Sequence, residues 1–348
     1  MTIMRTPESG TVLVTGGAGY IGSHVVKQLE AAGESVVVLD NLSTGFRQAL
    51  PRSRLVVGDV GDIGLVKAVI EENDVTSIMH FAASTVVPES VADPLKYYRN
   101  NSGNTRRLLE VAVSAGIDHF IFSSTAAVYG IPRDGVASED SATRPINPYG
   151  HSKLMSEQML RDVSAAGKVN YVALRYFNVA GSDFDLEIGQ STRNATLLVK
   201  VACEAALGIR DSLTIYGCDY DTPDGTGVRD YIHVVDLAAA HVDALIYLRQ
   251  GGESTTLNCG YGAGYSVREV IGSVETCAGI ALNVMEAERR PGDPPTLVAK
   301  ADRIGTVLGW SPSHNSLEEI VRSSLDWESK QMRNPWSNSA GHRLEDPD

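Results

Sequence analysis

A doubly wound α/β fold with a parallel sheet, extended by a smaller mixed α/β domain, is what this 348-residue sequence predicts. Three observations lead there. Thr11 to Asp40 runs as apolar strand, glycine-punctuated turn, helix, second apolar strand and acid. Short apolar runs then alternate with helix-spaced runs as far as Asn178, which requires a mostly parallel sheet covered on both faces. Beyond Asn178 the regular alternation stops. The expected division is therefore a Rossmann-like dinucleotide-binding domain over 1–178 and a mainly substrate-binding domain over 179–348. Some later segments are expected to return to the large sheet.

The first stretch carries the most chemistry. Val12 to Thr15 reads as a strand running into Gly16, Gly19 and Gly22. Gly16 lets the chain turn, Gly19 lets backbone approach a pyrophosphate, and Gly22 lets the helix lie close to its strand. Unpaired N–H groups at the helix start, around Tyr20 and Ile21, then face phosphate. Val36 to Leu39 is the next strand and ends on Asp40, placed to accept from an adenosine ribose hydroxyl. A 2′-phosphate beside that carboxylate would be repelled, so NAD is favoured over NADP.

The elements follow in order. Asn41 to Pro51 is turn-rich. Leu55 to Val57 is a short strand ending at Gly58-Asp59, and Ile63 to Glu72 has helical spacing. Ser77 to Phe81 is a strand closed by Ala82-Ala83-Ser84. Tyr97 to Ala115 reads as one long helix stopped by Gly116. His119 to Ser123 is the next strand, Asp134 to Pro148 a loop, Tyr149 to Val163 a helix, and Val172 to Tyr176 a strand. Helices are then expected near Leu197 to Leu207, Asp236 to Leu248, Val267 to Ala278 and from Leu317. Strands are expected at Leu213 to Tyr216 and Thr256 to Asn258. The polar tail after Met332 is expected to fray. Ligands in such folds lie beyond the carboxyl ends of the strands, where the loops at Gly16, Asp40, Asp59, Ala82 and Ser123 converge.

Charge and composition exclude other classes. Thirty Lys and Arg against 43 Asp and Glu leave a net charge of −13, which disfavours nucleic acid or an anionic membrane as partner. No apolar run approaches the length of a membrane span, and MTIMRTPESG lacks the core of a signal peptide, so the cytoplasm is the expected compartment. Cys203, Cys218, Cys259 and Cys277 form no CxxC pair. His24, His80 and His119 are dispersed and read as packing or polar-pair residues, so no metal is expected.

Two segments add catalysis to cofactor binding. Phe122 to Gly130 reads FSSTAAVYG, and NPYGHSK places Tyr149 and Lys153 four apart on one helix face. A phenol of pKa about 10 is a weak base at neutral pH, and a nearby lysine ammonium favours its phenolate. Tyr149 is read as acid/base, Lys153 as electrostatic tuner and nicotinamide-ribose ligand, and Thr125 as hydrogen-bond relay between sugar and phenol. Thr125 can equally cap a helix. Ser123 is read as a cofactor contact and Tyr129 as a wall.

On these motifs the chain resembles the extended short-chain dehydrogenase/reductases, and within them the UDP-glucose (UDP-galactose) 4-epimerase group, over roughly residues 11 to 330. The matching stretches are GGAGYIGSH, DNLSTG, GDV, HFAA, SSTAAVYG, NPYGHSK, LRYFNVAG, GTGVRDYIHV and RRPGD. The resemblance implies tightly bound NAD held by Asp40 and Asn41, Asp59 and Val60, Phe81, Ala82 and Ala83, Asn100 and Tyr176. It implies UDP-glucose and UDP-galactose as substrates, oxidised transiently to a 4-keto sugar, with a homodimer built on the helices at Tyr97 to Ala115 and Tyr149 to Val163. Arg229 and Arg290 would bind the diphosphate, Asp293 the uridine ribose, and Tyr216 would flank uracil. Asn178 and Leu198 would touch substrate.

The sequence also departs from that group. Thr125 stands where serine is frequent. Leu197-Leu198-Val199-Lys200 replaces a more polar step, leaving Lys200 either to compensate electrostatically or to be solvated. Leu297 falls where a larger residue narrows the sugar pocket, which leaves UDP-N-acetylglucosamine and UDP-pentoses open as alternatives. A related NAD-dependent sugar-nucleotide oxidoreductase is the other alternative. Ala126-Ala127 after Thr125 lacks the acid pair that a dehydratase needs.

Overall fold

The computed structural model describes residues 10–50, 52–193 and 195–336. The chain begins β1 (Thr11–Thr15), α1 (Tyr20–Ala31), β2 (Val36–Asp40), β3 (Arg54–Val57), α2 (Ile63–Glu72) and β4 (Val75–His80). Two short helices, α3 (Val87–Ala92) and α4 (Pro94–Tyr97), precede α5 (Asn104–Ala115). Then come β5 (His119–Thr125), β6 (Val136–Ala137), α6 (Pro148–Ala165), β7 (Asn170–Tyr176) and β8 (Asn178–Ala180). The remainder is α7 (Leu198–Ala206), β9 (Leu213–Tyr216), β10 (Val228–His233), α8 (Val234–Arg249), β11 (Thr255–Cys259) and β12 (Gly264–Ser266). It ends with α9 (Val267–Ala278), β13 (Val284–Ala287), β14 (Thr296–Ala299), α10 (Asp302–Leu308) and α11 (Leu317–Arg333).

Seven strands form the large sheet in the order β11-β7-β5-β4-β1-β2-β3, with every pairing parallel. Alternation along β1 explains the layers. Val12 and Val14 face the cluster that contains Val25, Val26 and Leu29 of α1 with Leu237 and Ala244 of α8. Leu13 faces the opposite cluster, with Val66 of α2, Leu108 of α5 and Leu160 of α6. All six crossovers therefore leave the carboxyl ends of the strands along one edge.

The chain shuttles between two sheets. β11, from beyond residue 178, pairs with β7 and extends the large sheet. β6, from before it, pairs with β14 in a second sheet ordered β12-β10-β14-β6, with β8 also on β10. β9 and β13 form a separate parallel pair. Phe177 alone separates β7 from β8, so one step takes the chain from the first sheet to the second.

The single helix expected over Tyr97 to Ala115 is a correction. A π-helical segment, Tyr98–Gly103, separates α4 from α5. Side-chain amides account for it. Asn101 binds the Ser84 N–H at 2.8 Å, the Ser84 carbonyl at 3.0 Å and Ser152 at 2.9 Å. Asn100 donates to Ser84 Oγ at 2.9 Å, and Asn104 reaches Asp59 at 3.3 Å. The bulge aims three asparagines at the loops after β3 and β4. Of the tail, Trp336 packs on Phe46 and Trp327, while 337–348 lie outside the described residues.

Candidate active site

The turn after β1 is shaped by its glycines. Gly16 has φ +72, and a Cβ there would lie 2.5 Å from the Ala82 nitrogen. A Cβ on Gly22 would lie 2.3 Å from the Gly16 carbonyl. No side chain caps α1 at Gly19, so the N–H groups at Tyr20 and Ile21 open into the turn. Asp40 Oδ2 accepts from the Ala18 N–H at 2.9 Å and Oδ1 from Leu42 at 2.8 Å. Burial raises the Asp40 pKa while these two bonds pull it back. Each oxygen keeps a lone pair for a ribose hydroxyl. A cradle that any Cβ would fill, uncapped helix N–H groups and an acid at the next strand end fit an adenine dinucleotide.

The other cofactor candidates border this edge. Asn41 donates to Asp59 at 3.3 Å, and Val60 is buried. Phe81 packs on His241 with ring centroids 4.8 Å apart. Ala82 and Ala83 follow β4 after Phe81. Asn100 lies in the π-helical segment, hydrogen-bonded to Ser84 at 2.9 Å. Ser123 Oγ hydrogen-bonds the Tyr176 hydroxyl.

The structure brings Thr125, Tyr149 and Lys153 together at the end of β5. Asn147 caps α6 by accepting from the Gly150 N–H at 2.9 Å, which sets where Tyr149 enters the helix. Thr125 Oγ1 accepts from the Ala127 N–H at 3.1 Å, and its hydroxyl lies close enough to the Tyr149 phenol to act on its pKa. The amide occupies a lone pair, so the hydroxyl proton is available to the phenol. Thr125 thus caps the short 3₁₀ turn, Ala126–Val128, and serves Tyr149 at once. Burial pushes the Tyr149 pKa up, and the Thr125 bond lowers it. Lys153 is 3% exposed and donates to the Ser123 carbonyl at 2.8 Å. Burial lowers its pKa to about 7, opposed by the charge of Glu157.

Sequence reasoning missed the group behind these residues. Arg175 grips Glu157 through Nε at 2.8 Å and Nη2 at 2.5 Å, both side chains buried. Glu157 also accepts from Ser124 at 2.5 Å, and Arg175 reaches the Tyr129 hydroxyl at 3.0 Å. Tyr129 in turn donates to Asn258 at 2.6 Å, so it is a structural member of the wall. The available signal was spacing, since Glu157 follows Lys153 by one helical turn.

The substrate candidates fall into three groups. Arg229 pairs with Asp293 at 3.3 Å and faces Leu297 across the β10/β14 register. Arg290 sits 3.6 Å from the centroid of Tyr216 and covers one face of that ring. Asn178 and Leu198 line a cleft with Tyr20, Gly181, Lys200 and Glu328. Thr125, Tyr149 and Lys153 do not line it. Lys200 is buried rather than solvated, because it binds Glu328 at 2.5 Å. His80 is held between Thr15 at 2.7 Å and Thr105 at 3.0 Å, and His24 binds the Tyr20 carbonyl at 2.8 Å.

The profile of the NAD dependent epimerase/dehydratase family matches residues 12–260. A UDP-glucose 4-epimerase of Azospirillum brasilense is 57% identical over 93% of each chain. The structure of a UDP-glucose 4-epimerase from Brucella ovis in complex with NAD is 44% identical, with TM-score 0.88 over 91% of this chain and 98% of that one. The UDP-Glc/GlcNAc 4-epimerase of Campylobacter jejuni is 47% identical, with TM-score 0.80 over 92% and 99%.

Proposed function

The chain belongs to the NAD dependent epimerase/dehydratase family, within the extended short-chain dehydrogenase/reductases, and from that premise we propose how its residues perform the reaction. The activity is reversible NAD-dependent 4-epimerisation of UDP-glucose and UDP-galactose. The observation that carries the residue assignment is the convergence of Thr125, Tyr149 and buried Lys153 at the end of β5, on the sheet edge that holds the glycine turn.

NAD, when bound, accepts a hydride and returns it, and its oxidised ring carries positive charge. Gly16, Gly19 and Gly22 admit its pyrophosphate, and Asp40 with Asn41 takes the adenosine ribose. Asp59, Val60, Phe81, Ala82, Ala83, Asn100, Ser123 and Tyr176 complete that surface. Tyr149, as phenolate, takes the proton of the sugar 4-hydroxyl while C4 loses its hydride. Thr125 donates to the phenol oxygen and steadies its charge. Lys153, anchored on the Ser123 carbonyl one helical turn from Tyr149, is placed to bind the nicotinamide ribose. The 4-keto sugar then turns about its link to the diphosphate, presenting its other face. Tyr149 gives the proton back as C4 regains a hydride with inverted configuration. Arg229 and Arg290 suit the diphosphate through their forked donors, and Asp293 the uridine ribose.

We place the dinucleotide-binding unit at 1–178 with α8 and β11 returned to it, and the substrate unit in the rest. The partner chain is a second copy, docking on α5 and α6. Exposed Leu95, Val91 and Met155 beside them support this, at 74%, 50% and 52% exposure. No helix among the described residues is long and apolar enough to cross a membrane, and we assign the protein to the cytoplasm. N-acetylated hexoses form a second reading, supported by the similarity to the Campylobacter jejuni enzyme and by the intermediate size of Leu297.

The test incubates purified protein separately with UDP-glucose, UDP-N-acetylglucosamine and UDP-xylose, without added NAD, and resolves the products. Conversion of UDP-glucose to UDP-galactose without net NADH is the expected result. No product from UDP-glucose, with bound NAD present, would overturn it.

A further inference from the structure

The cleft that carries Asn178 and Leu198 has a charged wall that the chemistry above does not use. Lys200, 8% exposed, stands two residues after Leu198 in the first turn of α7. Its ammonium has three protons. One reaches Glu328 at 2.5 Å, one Glu204 at 3.2 Å and one the Gln190 carbonyl at 3.1 Å. The lysine is therefore saturated and is not itself a free anion ligand. Arg210 takes the other oxygen of Glu204, so two cations face two carboxylates and the cluster is neutral. Glu328 is 4% exposed and lies on α11. Its charge adds to burial in raising the pKa of Tyr20, so Glu328 is electrostatically present at the cleft. Trp327 Nε1 donates to the same Gln190 carbonyl at 3.3 Å, so the loop before α7 is held to α11 from two sides.

We infer that Lys200 is a positioning residue for substrate: it cancels Glu328 and pins the Gln190 loop, so that the cleft beside Leu198 and Asn178 accepts a nucleoside diphosphate without repelling it. The inference rests on the UDP-sugar reading of the site. It also assigns a role to the Leu197 to Lys200 step, one of the stretches expected to depart from the resembling group. Lys200 and Glu328 are 128 residues apart, and their effect on substrate is one of charge as well as shape. A role in shape alone predicts that every disruption weakens function. A role in charge predicts that two disruptions of opposite sign act in opposite directions.

The test measures kcat and KM for UDP-galactose with NAD-loaded wild type, Lys200→Met, Glu328→Gln and the double variant. Losing the cation leaves a net negative wall, and KM is expected to rise about tenfold, as one unit charge does through a medium of intermediate dielectric. Glu328→Gln keeps hydrogen-bonding atoms, leaves a net positive wall, and is expected to lower KM roughly threefold. The double variant is neutral again and is expected to return to within about twofold of wild type, with kcat little changed in all three. A double variant as weak as Lys200→Met, or Glu328→Gln that raises KM, would overturn the inference. Calorimetric titration with UDP reads the same order without turnover. If that order holds while wild type leaves UDP-glucose unchanged, the charge-cancelling role stands and the epimerase reading falls. If Lys200→Met does not fold, the sign of the Glu328→Gln change decides.

Discussion

Thr125→Val removes one hydroxyl while keeping the shape of the side chain. Thr125 is 8% exposed and serves two partners, the Ala127 N–H at 3.1 Å and the Tyr149 hydroxyl. The bond to Tyr149 matters most when the phenol is ionised, where a hydrogen bond to a charged group contributes roughly 1.5–3 kcal/mol. Converted at about 1.4 kcal/mol per factor of ten, kcat should fall roughly 10- to 100-fold. The sign of the pH effect follows from the same bond. Thr125 lowers the Tyr149 pKa, so its loss raises that pKa, and the rising limb of kcat against pH should move to higher pH. The lost cap on Ala127 costs about 1 kcal/mol of stability, which a melting curve reads separately. Thr125→Ser retains the hydroxyl and should stay within about threefold of wild type. The assay is initial rate of UDP-galactose conversion on NAD-loaded protein from pH 5 to 9. A Thr125→Val enzyme with unchanged kcat and unchanged pH limb, in folded protein, would refute the relay.

Other perturbations test other parts of the account. Gly22→Ala places a Cβ 2.3 Å from the Gly16 carbonyl, so the purified protein should lose most of its bound NAD, read by release and quantitation of nucleotide. Asp40→Asn sets amide protons against the Ala18 or Leu42 N–H; NAD retention should drop at least tenfold, and affinity for NADP should fall less. Lys153 has a folded pKa of about 7 against an ordinary 10.5. Between those values the unfolded chain binds a proton that the folded one does not, so stability rises with pH across that window. Lys153→Met should flatten that rise in urea titrations of cofactor-stripped protein, and should lower kcat in the loaded enzyme.

Legibility followed distance along the chain. The glycine turn and Asp40 are set by steric and hydrogen-bonding needs within thirty residues, and Tyr149 and Lys153 by one helical turn, so both patterns stood in the sequence. The π-helical segment did not, because Ser84, Asp59 and Ser152 decide it from other loops. An apolar periodicity over Tyr97 to Ala115 cannot reveal three asparagine side chains that pull backbone out of α register. Lys200 misled for the same reason: its partner Glu328 is remote, and a lone lysine in a helix reads as solvated. The placing of β6 in the second sheet was equally hidden, since strand pairing depends on contacts that the segment does not carry in its own pattern, whereas a return of a later segment to the large sheet was expected and β11 makes it.

The central claim is that the Tyr149 oxygen carries the sugar proton. The most direct measurement is the turnover of Tyr149→Phe in folded, NAD-loaded protein with UDP-galactose, beside its binding of UDP. The account predicts a loss of at least about a hundredfold in kcat with UDP affinity retained, and undiminished turnover would contradict it.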